Sequence, residues 1–214
     1  MSENKAESRD ENLSDFLAAV ESAYDDINRE LFESALSKKP VITIAPTPGA
    51  YGHFTPWESW KDADGNGRYE INFGAETIDC PTIELMATLT HEMVHQYCHE
   101  KGLGDTSRAG TYHNKTFRDQ ARRFGLRIGY DKRIGWSVTS PGDALLAMER
   151  RGAFSRVENT LHRIGSARTD TTGKKSSSTR KYVCPLCGMS VRATKEVRVM
   201  CMDCEEQMLT DADC

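Results

Sequence analysis

The sequence lacks any long hydrophobic run. None of its apolar stretches approaches the roughly 18 residues that a membrane-spanning helix needs, which excludes a transmembrane span. The first residues, MSENKAESRDENLSD, are polar throughout and contain no apolar segment behind a basic one, so they do not resemble a secretory signal. Hydrophobic residues make up 38% and charged residues 28% of the chain, as in ordinary globular proteins. We therefore expect a cytoplasmic protein, monomeric and without membrane contact.

The number of cysteines is odd, which argues against a disulfide framework in which every cysteine is paired. Four of the seven form two C-x-x-C pairs, and in a reducing compartment such pairs indicate a metal site. Thirteen residues separate the pairs, a spacing typical of a closed, tetrahedral zinc site in a small ribbon. The predicted ligands of this structural zinc are Cys184, Cys187, Cys201 and Cys204. The other cysteines are predicted to be free thiols: Cys80, Cys98 and Cys214.

Charge is distributed unevenly, although the net charge is only −4. Residues 1–33 carry ten acidic and three basic groups, whereas residues 161–200 carry nine basic and two acidic groups. Such blocks are commonly solvated tails, but a basic segment around a small metal module can also contact nucleic acid. Residues 115–133 are basic as well, with seven basic and two acidic groups. The candidate nucleic-acid-binding residues are Arg180, Lys181, Arg192, Lys195 and Arg198.

The pattern of apolar residues predicts one α+β domain followed by a small second module. Apolar residues recur at three- and four-residue steps from Leu13, which predicts a helix ending near Pro40. VITIAP and YEINFG are predicted strands, with AYGHF a weaker third. Three further helices are predicted, over residues 82–100, 114–124 and in PGDALLAMERR. The predicted organisation is an acidic tail at 1–11, a domain at 12–160, a flexible basic linker at 161–181, a ribbon at 182–206 and a tail at 207–214.

The stretch LTHEMVHQYCHE contains the motif H-E-x-x-H on the second predicted helix. His91 and His95 are four residues apart, so they project from one helix face and can bind one metal ion. Glu92 lies beside them, where it could accept a proton from a water at that ion. The motif therefore predicts a zinc site with Glu92 as general base.

The residues alone leave more than one candidate for the third protein ligand. His99 lies about 12 Å along a straight helix from His91, and Cys98 about 10 Å, too far to join the same ion. A glycine-containing continuation of the motif is absent, because positions 98 and 101 are Cys and Lys, and no glutamate occurs between residues 100 and 149. His113 follows a glycine-rich turn and could return to the ion. Asp105 and Asp119 remain competing oxygen ligands.

The active-site region resembles that of the SprT-like metallopeptidases, in ATLTHEMVHQYCHEKG followed by YHNKTFRDQARRFGL. The segments before it, AYDDINRELFESAL and the predicted strands, resemble the leading helix and strands of that family. The resemblance covers about residues 12–150. It implies a zincin-like domain, in which a small sheet and a helix bundle hold a zinc bound by His91, His95 and His113. It also implies that a zinc ribbon follows this domain in the chain. This chain has Asn114 where the family often has glycine. Spartan-type members cleave proteins crosslinked to DNA, so the resemblance implies protein substrates and DNA as a partner.

The sequence thus predicts a two-zinc metalloendopeptidase that acts on DNA-associated proteins. The alternative is a zinc-dependent nucleic-acid-binding or regulatory protein with little hydrolysis. YEINFG could bind an extended substrate at a free sheet edge. Tyr112 and Arg108 are weak candidates for stabilising an oxyanion.

Two other signals are interpreted conservatively. DADGNG resembles the start of a calcium-binding loop, but its twelfth position is Phe73, so a turn is predicted instead. His53 and His162 are expected to be packed or solvated.

Overall fold

The chain divides into two units, residues 1–165 and residues 166–214. The computed structural model describes residues 13–157 of the first unit and 180–210 of the second. Helices and small sheets are mixed in it, which confirms the predicted α+β class. No helix within the described ranges is long and apolar enough to cross a membrane. The predicted tail at 1–11, the linker up to residue 179, His162 and Cys214 lie outside the described residues.

Helix α1 spans Leu13–Glu30 and packs one face into the core. That face consists of apolar side chains at three- and four-residue steps: Phe16, Ala19, Val20, Ala23, Tyr24 and Ile27. The predicted end near Pro40 is wrong. Glu33 and the residue after it adopt left-handed conformations, with φ of 55° and 58°, which a right-handed helix cannot continue. The Asn28 side chain exchanges two hydrogen bonds of 3.2 Å with the Leu36 backbone and closes the loop.

Three strands form the first sheet: β1 (Val41–Ala45), β2 (Gly52–Lys61) and β3 (Gly67–Gly74). β3 lies in the middle, parallel to β1 and antiparallel to β2. The expectation that YEINFG offers a free edge is therefore wrong, because both edges of β3 are paired and β2 is an outer strand. The predicted turn at DADGNG is confirmed: Asp62 Oδ1 accepts bonds from the backbone of Asp64 (3.0 Å) and Asn66 (2.8 Å) between β2 and β3.

Helix α2 spans Thr82–Glu100, as predicted, and is the central element of the larger unit. It is buried on most of its circumference and packs against α1, β2 and elements that follow it in the chain. A buried polar bridge fixes it to α1, where the Tyr24 hydroxyl donates to Gln96 Oε1 at 3.0 Å. Gln96 Nε2 in turn donates to the Lys38 carbonyl at 2.6 Å.

A second sheet follows α2, with two short helices packed around it. Its strands are β4 (Thr106–Ser107), β5 (Tyr112–His113), β6 (Leu126–Asp131) and β7 (Gly135–Pro141), in the order β4-β5-β7-β6. Helices α3 (Lys115–Arg123) and α4 (Asp143–Arg150) match two predicted helices to within two residues. None of the four strands was predicted. Two of them have only two residues, whereas β6, LRIGYD, alternates apolar and other residues, a strand signal that the sequence analysis missed.

The second unit is a small all-β module. Its strands are β8 (Arg180–Val183), β9 (Ser190–Ala193), β10 (Met200–Cys201), β11 (Glu206–Gln207) and β12 (Leu209–Thr210). β8 lies between β12 and β9, while β10 pairs with β11. Its buried residues are Tyr182, Cys184, Cys201 and Met208, so two cysteines are half of a very small core.

Candidate metal centres

Three imidazole rings converge at one point of the larger unit. The Nε2 atoms of His91 and His95 are 3.2 Å apart, those of His91 and His113 3.2 Å, and those of His95 and His113 3.0 Å. Among the described residues these three form one of two groups whose ligand atoms could hold a metal ion. The structure thus brings together the three histidines that the sequence singled out.

The histidine cluster fits a metal such as zinc. Three nitrogens bound at 2.0–2.1 Å to one tetrahedral ion lie about 3.3 Å apart, close to the spacing found here. Burial also keeps the rings in the neutral form that binds metals, since it lowers the pKa of His91 well below its usual value and that of His113 to about 4. The second cause in both cases is the neighbouring His95, because two charged imidazoles would repel each other.

The histidines reach this point from two different elements. His91 and His95 lie one turn apart on α2, as their spacing requires. His113 lies on β5, where its backbone N–H donates to the Ile134 carbonyl at 2.9 Å and its partner residue on β7 is Gly135. The site is therefore closed by strand pairing rather than by continuation of the helix.

Asn114, which stands where the resembled family often has glycine, begins helix α3. Its Oδ1 accepts hydrogen bonds from the backbone N–H of Thr116 (2.8 Å) and Phe117 (3.3 Å), which is an ordinary N-cap. Its φ of −90° is accessible to any residue. Asn114 Nδ2 also donates to the Gly104 carbonyl at 2.9 Å, so the same side chain anchors the loop before β4.

The outer ring nitrogens of two histidines have oxygen partners. His95 Nδ1 lies 2.6 Å from Asp105 Oδ2, and His91 Nδ1 lies 2.7 Å from Thr139 Oγ1. The Thr139 hydroxyl donates to the Ser137 carbonyl at 3.2 Å, so it accepts from His91 Nδ1–H and leaves Nε2 free to bind. Buried His113 Nδ1 has no hydrogen-bond partner in the described part of the chain.

These contacts decide between the oxygen ligands considered from sequence. Asp105 contacts the far side of the His95 ring and orients it, instead of joining the three Nε2 atoms. Asp119 pairs with Arg118 at 2.7 Å on the exposed surface, away from the cluster. Neither aspartate belongs to the group that could hold a metal.

His99 and Cys98 also lie away from the cluster, as the rise of the helix predicts. The His99 ring packs edge-on against Tyr69, with centroids 5.4 Å apart. Cys98 is fully buried in the core, and burial raises the pKa of its thiol to about 12. Two other residues considered from the sequence, Cys80 and the exposed His53, line a cleft that opens onto the histidine cluster.

Phe117 supports all three histidine rings. It is fully buried on α3, and its ring centroid lies 4.5 Å from that of His91 and 4.6 Å from those of His95 and His113. This residue was missed by the sequence analysis. The available signal was its position one helical turn after His113, in the TYHNKTF segment.

Glu92 is buried beside the histidines, with 5% of its surface exposed. Burial raises the pKa of its carboxyl to about 7, while the neighbouring His95 and the backbone N–H of Phe54 on β2 oppose that rise. Gly52 lies against the same side chain: a Cβ there would be 3.6 Å from Glu92 Cγ and only 2.7 Å from the Asn72 carbonyl oxygen. The close approach of β2 to β3 at this point therefore depends on glycine at position 52.

A cleft of about 1240 Å³ opens onto His91, Glu92, His95 and His113. One wall is the start of β2 with the turn before it, from residue 49 to 54 together with Pro56. The other wall consists of Leu103, Asp105, Thr106, Ala109, Gly110, Thr111, Ile134, Ser137, Val138 and Thr139. Neither Tyr112 nor Arg108 lines the cleft, so the two weak oxyanion candidates lie elsewhere. Tyr112 instead bonds the Tyr130 hydroxyl at 3.1 Å, and Arg108 lies over the Tyr112 ring.

The second group that could hold a metal consists of the four predicted cysteines of the ribbon. Their sulfurs lie within 4.8 Å of one another, and Sγ of Cys187 and Cys201 are 3.6 Å apart. Sulfurs bound at 2.3 Å to one tetrahedral ion would be about 3.8 Å apart. Each C-x-x-C pair is followed by a residue with positive φ, Gly188 at 72° and Glu205 at 53°, which turns the chain around the sulfurs.

The five candidate nucleic-acid-binding residues lie on the ribbon, and four of them are exposed. Lys181 is half-buried and stands directly opposite Arg192 in the β8–β9 pairing, so their side chains share one face. Arg180 is one residue earlier on β8 and projects to the other face. Lys195 and Arg198 lie in the segment between β9 and β10. The structure thus brings two of the five into direct proximity.

Comparisons of the chain with protein-family models, with curated proteins and with solved structures found no match.

Proposed function

We propose that this chain is a zinc metalloendopeptidase of SprT-like type, with a zincin-like catalytic domain and a zinc ribbon. The observation that carries the proposal is the meeting of three imidazole Nε2 atoms, 3.0–3.2 Å apart, beside a buried glutamate in an open cleft. The resemblance of the H-E-x-x-H helix and the TYHNKTF segment to SprT-like enzymes supports the same conclusion.

His91, His95 and His113 would hold the catalytic zinc. Three protein ligands leave a fourth position open, which distinguishes a catalytic zinc site from a closed structural one. When bound, zinc supplies a Lewis acid that polarises a carbonyl and lowers the pKa of water towards about 7. Asp105 and Thr139 would keep two of the imidazoles in the orientation and tautomer that binding needs.

Glu92 would act as the general base and then as the general acid. Its carboxylate takes a proton from the attacking water as the water oxygen bonds to the peptide carbonyl carbon. When the C–N bond breaks, the carboxyl returns that proton to the leaving amine nitrogen. A pKa of about 7 suits both steps near neutral pH, and a nearby cation favours the carboxylate form that the first step needs.

The outer strand β2 would bind the substrate. The Phe54 N–H turns away from β3 towards Glu92, so alternation along the strand directs the backbone of Gly52 the same way. Pro56 is the next residue in this register and has no N–H to donate, as is common on sheet edges. An extended peptide segment pairing with the backbone of Gly52 and with the carbonyl of Phe54 would lie along the cleft.

DNA-associated proteins are the proposed substrates. The four cysteines would bind a structural zinc that stabilises the ribbon, since its core has only a few buried side chains. The ribbon's basic residues carry no ion pair to any described residue, so they are available to phosphates. Binding to DNA would raise the concentration of substrate near the catalytic unit.

A zinc-dependent nucleic-acid-binding or regulatory protein with little hydrolysis is the alternative. The pairing of Lys181 with Arg192 on the ribbon favours it. The position of Glu92 favours the enzyme, because a structural metal site needs no buried carboxyl group next to its ligands.

Substitution Glu92→Gln tests the proposal. The variant should keep two zinc ions and lose hydrolysis of an unfolded, labelled casein substrate by about 10²–10⁴-fold, because the base is removed and the ligands stay. Glu84→Gln is the matched control: Glu84 is exposed in the same cleft and on the same helix, and should leave the rate unchanged. Unchanged hydrolysis in Glu92→Gln would contradict the proposed mechanism.

A further inference from the structure

Six aromatic and guanidinium side chains form a continuous row across α3, the second sheet and the turn between β4 and β5. Arg108 lies 4.6 Å over the Tyr112 ring, and the Tyr112 hydroxyl is 3.1 Å from that of Tyr130. The Tyr130 ring lies 5.0 Å from that of Trp136 on β7. Two arginines one turn apart on α3 complete the row, Arg118 at 4.9 Å and Arg122 at 5.7 Å from the Trp136 centroid. We name these residues the aromatic–arginine row.

The aromatic–arginine row is accessible and positively charged. Tyr112, Arg118 and Trp136 are half-buried, whereas Tyr130 is 52% exposed and both Arg108 and Arg122 are exposed. Neither of these arginines is ion-paired to any residue that the structure describes, whereas Arg118 bonds Asp119 through Nε. The surrounding segment 115–133 has seven basic and two acidic groups. The row therefore offers two guanidinium groups, those of Arg108 and Arg122, that are not ion-paired to any described acidic side chain.

Core packing does not account for these residues. Buried aromatic residues of the unit, such as Phe32 and Phe117, are at most 1% exposed and belong to the hydrophobic core, whereas Tyr112, Tyr130 and Trp136 do not. The row is also separate from the catalytic cleft, because none of its six members lines that cleft.

We propose that the aromatic–arginine row is a binding site for single-stranded nucleic acid. Tyrosine and tryptophan rings stack on unpaired bases of any sequence, and guanidinium groups beside them bind the phosphates. The bases of a duplex are stacked on each other and offer no free face to Tyr130 or Trp136. Charge and exposed aromatic surface together therefore favour a single strand over a duplex.

The aromatic–arginine row lies close to the proposed active site. Tyr112 directly precedes His113, and β7 contributes Trp136 to the row and Val138 to the cleft wall. A protein attached to a strand in the row would thus lie beside the proposed active site. This use rests on the proposed peptidase function, whereas the binding itself is measured without hydrolysis.

Fluorescence anisotropy of a labelled 15-residue oligothymidylate and its RNA counterpart, with the full-length chain carrying Glu92→Gln, tests the site. Trp136→Leu and Tyr130→Leu should each weaken binding about 5- to 150-fold, the range expected for loss of one stacked base. Arg122→Gln should reduce the slope of log affinity against log salt by about 0.7. A difference between the DNA and RNA strands would identify the natural source of the ligand.

Two controls separate the row from other surfaces. Trp57→Leu removes another exposed tryptophan, on β2, and Arg127→Gln removes an exposed arginine that pairs with Asp143. Both should bind the strand within twofold of the parent chain. Equal affinity of the parent, Trp136→Leu and Tyr130→Leu would overturn the site, as would tighter binding of a 15-base-pair duplex. Zinc content and circular dichroism establish that each variant is folded. Peptide hydrolysis is measured separately, in the chain with Glu92 intact, so failure of the peptidase proposal is distinguished from failure of the binding site.

Discussion

The backbones of His113 and Gly135 touch. A Cβ atom at Gly135 would lie 2.1 Å from the His113 carbonyl oxygen, and the φ of Gly135 is 77°, which other residues rarely adopt. Since His113 reaches the other two histidines through this pairing of β5 with β7, glycine at position 135 determines where the third imidazole lies.

Gly135→Ala should therefore lose metal from the histidine cluster while the ribbon keeps its own. The extra methyl group must push β5 away from β7, and the His113 ring moves with it. Zinc analysis of the full-length chain should give about one ion in the variant against two in the parent. Gly110→Ala, whose Cβ would meet no atom within 4 Å although its φ is also positive, is the control for backbone strain alone. Two bound ions in Gly135→Ala would contradict the role of the β5–β7 contact.

The third ligand can be tested by comparing two histidines. His113→Ala should lose one of two zinc ions, because its Nε2 lies 3.0–3.2 Å from those of His91 and His95. His99→Ala should keep both, since that ring packs against Phe54 and Tyr69 instead. Metal analysis after dialysis measures the difference. Loss of zinc in His99→Ala with retention in His113→Ala would show that α2 does not run straight through residue 99.

The buried thiol of Cys98 should make stability depend on alkaline pH. Its pKa is raised by burial from 9.0 to about 12, so the proton is kept in both states below pH 9. Between pH 9 and 12 the unfolded chain loses this proton while the folded chain keeps it, which favours unfolding. The difference in unfolding free energy between the parent and Cys98→Ala should therefore narrow by about 1 kcal/mol per pH unit across this window. A difference that stays constant in urea titrations from pH 8 to 11 would rule out the effect.

The charges of the ribbon should contribute to DNA binding. Lys181→Gln with Arg192→Gln removes two facing charges on β8 and β9, and should weaken binding most at low salt, where released counterions contribute most. Arg29→Gln with Lys61→Gln removes the same charge from exposed positions of the other unit and should have little effect. Salt titrations of DNA binding by both double variants give the comparison. Identical salt slopes would leave the ribbon with a purely structural role.

Local spacing was sufficient for the features that one helix or one turn contains. His91, Glu92 and His95 lie as the four-residue step of α2 requires, and the same geometry separates His99 from them. The C-x-x-C pairs also predicted a cysteine cluster, because each pair forms its own turn. In these cases residues close together in the chain determine the arrangement, so the sequence is sufficient to predict it.

The early end of α1 shows that apolar periodicity does not predict where a helix ends. Apolar residues continue at helical steps through Leu31, yet the Asn28 side chain bonds the Leu36 backbone and Glu33 turns left-handed. A side-chain bond across eight residues competes with the helix, and no count of apolar positions records it.

The closure of the site was decided by tertiary structure alone. Residue types left His113, Asp105 and Asp119 open as the third ligand, and only the contact between β5 and β7 brings His113 to the cluster and leaves Asp105 on the outer nitrogen of His95. Phe117 and Thr139 likewise reach the histidines through packing between elements distant in sequence. Helical spacing is a property of the backbone itself, so the sequence alone determined the arrangement of His91, Glu92 and His95. Pairing between distant strands depends on the packing of the whole core, so only the tertiary structure determined the position of His113.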